Sequence, residues 1–130
     1  MEALTVVDTS VLLRAEHGDA QALERLERLI AGDTRWGVAA VTVYEVLCKA
    51  SAPAPWREFY EELFSGCDVL PITEDIALAA AEANRALAAP LKAPDALIAA
   101  AAAASGAVLV TADEHFLRLP GLAVELLRAC

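Results

Sequence analysis

The run from Leu4 to Val7 is uncharged and mostly apolar, and it stops on Asp8. It is too short for a buried helix, and its adjacent valines favour extended backbone. It therefore reads as a strand buried on both faces, the kind that parallel sheets contain. "AVLVT" at 107–111 has the same form, and an acid, Asp113, again follows close behind. "WGVAAV" from Trp36 and "CDVLPI" from Cys67 supply two further strand candidates, and "LAVELL" from Leu122 a last edge strand.

Helical sequence separates these runs. Leu23, Leu26, Leu29 and Ile30 recur at helical spacing among charged residues until Gly32. "TVYEVLCKA" resumes that spacing, with Val43, Tyr44, Val46, Leu47 and Ala50 on one apolar arc, before Pro53 and Pro55 break the chain. "WREFYEELF" is amphipathic. A long alanine-rich helix is expected over 73–89, with Thr73 as its N-cap, Glu74 and Asp75 in its first turn, and Pro90 at its end. Pro94 opens the next helix at Asp95, Gly106 closes it, and "DEHFLRL" forms a short helix after the 107–111 strand. Strands alternating with helices imply a doubly wound, three-layer α/β domain with a mostly parallel central sheet.

With 130 residues, 58% of them hydrophobic, the chain is expected to form a single domain over 1–130 with one continuous core. The uncharged stretch at 96–112 is mostly alanine and is interrupted by Ser105 and Gly106, so it reads as a buried helix followed by a strand and not as a membrane span. No signal peptide is apparent. The three cysteines show no CxxC or Cys/His spacing, which argues against zinc or a disulfide framework and for a reducing, cytoplasmic location. The net charge of -9 argues against membrane attachment and, at first sight, against nucleic acid.

In open parallel sheets, ligands bind at the carboxyl ends of the strands. Asp8 and Asp113 both fall there, whereas Asp95 opens a helix whose other end feeds the 107–111 strand by way of Gly106, which points it to the opposite edge unless the connection from Ala89 places it at the site. Each of the three also stands where a helix cap or first-turn acid is the ordinary explanation. Glu45 lies opposite the apolar arc of its helix, and a solvated pair with Lys49 would account for it. Carboxylates converging on one edge would repel unless a cation sat among them. A hard divalent ion suits oxygen ligands where no Cys or His set is present.

"VVDTSVLLR", "VTVYEVLCKA", "APDALIAAAA" and "GAVLVTADEHF" occur in that order across the chain. In this the sequence resembles PIN domains, in particular the VapC-type ribonuclease toxins of toxin-antitoxin pairs. The resemblance implies a PIN-like fold in which Asp8, Glu45, Asp95 and Asp113 form an acidic quartet that holds one or two Mg²⁺ or Mn²⁺ ions. Ser10 and Thr111 would support it. Glu114 follows Asp113 directly, and Asp113 is the expected ligand because it lies nearer the strand end. The implied activity is metal-dependent hydrolysis of RNA phosphodiester bonds, and the implied partners are RNA, a cognate antitoxin and a second copy of the chain.

A metal-filled carboxylate site would be far less negative than the net charge suggests. Arg14, Lys49, Lys92 and Arg118 lie close in sequence to the motifs and are candidate RNA contacts. His115 reads as an exposed helix residue, and the helix from Trp56 to Phe64 as a dimer or antitoxin surface. The alternatives are a PIN-like module that binds without cutting and a magnesium-dependent phosphatase. The latter would want an aspartate where Ser10 stands. A serine hydrolase lacks both a nucleophile elbow and a base.

Overall fold

The computed structural model describes residues 4–32, 34–48 and 54–128. Lys49, Ala50, Pro53 and Cys130, which figure in the sequence reading, lie outside the described residues. The elements run β1 (Thr5–Val7), α1 (Thr9–Glu16), α2 (Ala20–Ala31), β2 (Trp36–Ala39), α3 (Ala40–Leu47), α4 (Ala54–Ser65), β3 (Asp68–Leu70), α5 (Glu74–Arg85), α6 (Ala93–Ala104), β4 (Val108–Thr111), a 3-10 helix (Glu114–Arg118) and β5 (Ala123–Leu126).

The five strands form one sheet in the order β3-β2-β1-β4-β5, and every neighbouring pair is parallel. β1 therefore lies at the centre, and the chain reverses its winding direction between β1 and β4. That reversal opens a crevice at their carboxyl ends. The centre of the sheet is buried on both sides because successive side chains point to opposite faces. Val7 and Val110 enter one core with Leu12, Leu26 and Tyr60, while Val6 and Leu109 enter the other with Ile98 and Phe116. None of the described helices is long and apolar enough to cross a membrane.

Helical spacing did not foretell that two helices separate β1 from β2. α1 ends at Glu16, Gly18 adopts φ +87°, and the Asp19 carboxylate caps α2 by accepting from the Gln21 and Ala22 amides at 2.9 and 3.2 Å. α5 also ends earlier than its proline suggests, at Arg85 and not Ala89. The Asn84 side chain accepts from the Leu91 amide at 2.7 Å and donates to the Leu91 carbonyl at 2.9 Å, closing a loop that contains Pro90. Thr73 caps α5 as expected, its hydroxyl accepting from the Ile76 amide at 3.2 Å. Gly106, at φ +63°, follows the end of α6 in the left-handed conformation that glycine tolerates best.

Gly37 on β2 faces the backbone of β3 so closely that a Cβ there would collide with the Asp68 carbonyl oxygen and lie 2.9 Å from the Asp68 Cβ. Backbone on a central sheet cannot yield as a side-chain tip can. Gly37→Ala should therefore lower unfolding stability by about 1–3 kcal/mol, measured by urea denaturation. A variant as stable as the wild type would show that the β2–β3 contact is looser than described.

Candidate active site

Asp8 ends β1 and is the N-cap of α1, yet the capping bond is a weak one, the Ser10 amide donating to Oδ2 at 3.4 Å. Stronger contacts come from elsewhere. The Ser10 hydroxyl donates to the same oxygen at 2.6 Å, and the Thr111 hydroxyl, at the end of β4, donates to it at 2.8 Å. Ser10 Oγ in turn accepts from the Ala112 amide at 3.1 Å, and Thr111 Oγ1 from the Asp113 amide at 3.1 Å. These bonds fix the two sides of the crevice relative to each other. They also spend every donor on one carboxylate oxygen. Asp8 is 1% exposed, and its other oxygen, Oδ1, is buried with no hydrogen-bond partner among the described residues.

An unpaired buried carboxylate oxygen is costly. Burial pushes the Asp8 carboxyl above its ordinary range and Asp113 adds to the rise, while the bonds from Ser10 and Thr111 oppose it. Asp95 is also raised, first by burial and then by Asp8, with further contributions from Asp113 and Glu45. His115 Nε2 lies 3.2 Å from Asp95 Oδ2 and 4.0 Å from Asp113 Oδ2, so α6 directs Asp95 to the edge where β4 ends. It is the third residue of α6 and not its cap, because the N-cap is Lys92 and makes no side-chain capping bond. Asp113 is the N-cap of the 3-10 helix and likewise makes no capping bond. Glu114 is exposed, whereas Asp113 is half-buried and acts on both Asp8 and Asp95.

Glu45 does not follow its ordinary solvated explanation. α3 turns it towards α1, where the Thr9 hydroxyl lies 2.7 Å from Glu45 Oε1 and 3.0 Å from Thr42 Oγ1. Tyr44, expected on the apolar arc, is instead 71% exposed. The sequence reading missed Thr9 as a partner of Glu45 because the contact depends on how α1 and α3 pack.

His115 also departs from expectation. It is not solvent-facing: its Nε2 is buried, 3.2 Å from Asp95 Oδ2 and 4.0 Å from Asp113 Oδ2. Among the candidate RNA contacts, Arg14 pairs with Asp19 at 3.6 Å, Arg118 donates to the Ala89 carbonyl at 3.2 Å, and Lys92 is exposed three residues before Asp95.

Among the described residues, no three His, Cys, Asp or Glu side chains stand as an assembled ligand set. The residues nevertheless suit a divalent cation. The donors are hard carboxylate oxygens, the neighbouring acids raise the proton affinity of Asp8 and Asp95, and Asp8 Oδ1 is a desolvated acceptor without a partner among the described residues.

Solved structures similar to the whole chain include VapBC2 from Rickettsia felis bound to a DNA fragment from their promoter, at TM-score 0.78 and 21% identity, covering 95% of this chain and 98% of that one. DNA-bound VapBC from Salmonella typhimurium aligns at TM-score 0.77 and 24% identity, covering 96% and 98%. VapBC-5 from Mycobacterium tuberculosis, a member of the VapBC family of toxin-antitoxin systems, is 29% identical at TM-score 0.64 and covers 98% and 99%. No curated protein sequence matches the chain significantly. The PIN domain family model matches residues 5–122, and the chain belongs to the PIN domain family.

Proposed function

We propose that this PIN domain is a metal-dependent endoribonuclease that hydrolyses RNA phosphodiester bonds as the toxin of a toxin-antitoxin pair. The observation that carries the reading is the Asp8 carboxylate, buried at the strand crossover with every donor on Oδ2 and none on Oδ1. Asp8, Asp95, Asp113 and Glu45 would hold one or two Mg²⁺ or Mn²⁺ ions. When bound, such an ion would supply the Lewis acidity that activates water and offsets charge developing on the phosphate.

The protein's own side chains give that chemistry its geometry. Ser10 and Thr111 fix Asp8 through one oxygen and leave the other without a protein donor among the described residues. Thr9 holds Glu45 from the α1 side. The Ser10 hydroxyl is committed to Asp8, which argues against its use as a nucleophile. Lys92, exposed beside the opening turn of α6, is the best-placed candidate for an RNA phosphate. Membership of the PIN family removes the ground for the phosphatase alternative.

The antitoxin is proposed to dock between α2 and α4. Ile30 and Phe59 are 51% and 37% exposed there. With Trp36, Leu63 and Gly66 they line a groove of about 320 Å³. The VapBC complexes among the similar structures support a partner of this kind, while a homodimer rests only on the resemblance of the sequence motifs.

Purified protein should cleave RNA in Mn²⁺ or Mg²⁺ and lose that activity in EDTA. Asp95→Asn should lower the rate at least about a hundredfold. Unchanged cleavage by that variant would refute the mechanism, and RNA binding without metal-dependent cleavage by the wild type would favour the non-cutting module. Stability should report on the same carboxylate. A folded-state pKa above the unfolded one means that the folded protein takes up its proton first as pH falls. In chelator, wild-type stability relative to Asp8→Asn should therefore rise as pH drops from neutral towards 3.8, the ordinary value for aspartate. A difference that does not vary with pH would show that Asp8 is not destabilised by its charge.

A further inference from the structure

Three of the acids differ in how they are held. Asp8 has Ser10 and Thr111, and Glu45 has Thr9. For Asp95, the polar side chain recorded at close range is His115, whose Nε2 lies 3.2 Å from Oδ2. That nitrogen is shut off from solvent and makes no aligned hydrogen bond, although the histidine side chain as a whole is 27% exposed. The ring packs on Phe116 with centroids 4.6 Å apart, and Phe116 is fully buried, which anchors the imidazole to the core of the α6 face. An ordinary surface histidine would turn its nitrogens to water. This one directs Nε2 between Asp95 and Asp113, the latter at 4.0 Å. Arg118, three residues after His115, is engaged with the Ala89 carbonyl.

We infer that His115 is a positioning residue that sets the orientation of the Asp95 carboxylate for a divalent cation. The inference rests on the proposed metal-dependent function and assigns the histidine no direct contact with RNA. Groups that orient metal-ligating carboxylates commonly change metal affinity or activity by about 10–100-fold when removed. Reach is the decisive property: a glutamine amide extends about as far as Nε2, whereas the asparagine amide stops short of it.

The test is Mn²⁺ binding to RNA-free protein, followed by the electron paramagnetic resonance of the free ion, for wild type, His115→Ala, His115→Asn and His115→Gln. Steady-state cleavage kinetics are run in parallel. His115→Ala and His115→Asn should bind Mn²⁺ about tenfold or more weakly and lower kcat with KM for RNA unchanged, while His115→Gln recovers most of both. Wild-type Mn²⁺ affinity in His115→Ala would overturn the inference and leave the proposed nuclease standing. Equal behaviour of the Asn and Gln variants, or an effect confined to KM, would also overturn it. Failure of the wild type to bind Mn²⁺ would overturn the proposed function and this inference together. If the alanine variant does not fold, the contrast between Asn and Gln decides.

Discussion

The burial of a single carboxylate at the end of β1 is the constraint on which the rest of this structure turns. A charged group at the centre of a parallel sheet is tolerated only if its oxygens are satisfied or its charge is offset. The protein meets half of that requirement, with two hydroxyls and an amide on Asp8 Oδ2. One of those hydroxyls comes from α1 and the other from the end of β4, so the bonds that solvate Asp8 also close the crevice where the sheet changes direction. The other half of the requirement stays open at Oδ1, while the Asp113 charge adds to the cost of ionising Asp8. Under the proposed function, a bound cation would offset that cost.

The charge of the chain takes on a different meaning in this light. An excess of acids looks hostile to a polyanionic substrate, but part of that excess is concentrated where divalent ions would neutralise it. Two arginines near the motifs are committed within the protein, Arg14 to Asp19 and Arg118 to a backbone carbonyl. That leaves the exposed Lys92, beside Asp95, as the described cation best suited to steer a phosphate into the crevice.

Much of this was legible in the sequence, for a physical reason. Short β-branched runs that stop on acids, "VVD" and "LVTAD", mark strands buried on both faces and the edge where they end, because the period of a strand and the topology of parallel sheets leave few alternatives. The all-parallel sheet, the Thr73 cap and the Gly106 stop follow the same local rules. Contacts that depend on how helices pack were not legible. Helical spacing placed Glu45 towards solvent, because the pattern cannot know that α1 brings Thr9 against it. It left His115 exposed, whereas its Nε2 is buried beside Asp95, and it pointed Asp95 to the opposite edge. The early end of α5 was hidden as well, since it depends on Asn84 finding the backbone of Leu91. In each case the deciding interaction joins residues that local pattern treats as independent.

In the proposed function, the unpaired oxygen of Asp8 meets a divalent cation shared with the neighbouring acids. Anomalous diffraction from crystals soaked in Mn²⁺ tests this directly. A peak is expected within coordination distance of Asp8 Oδ1, with Asp95 or Asp113 completing the contact. Crystals that show no anomalous density in the crevice, or a site that leaves Asp8 Oδ1 untouched, would contradict it.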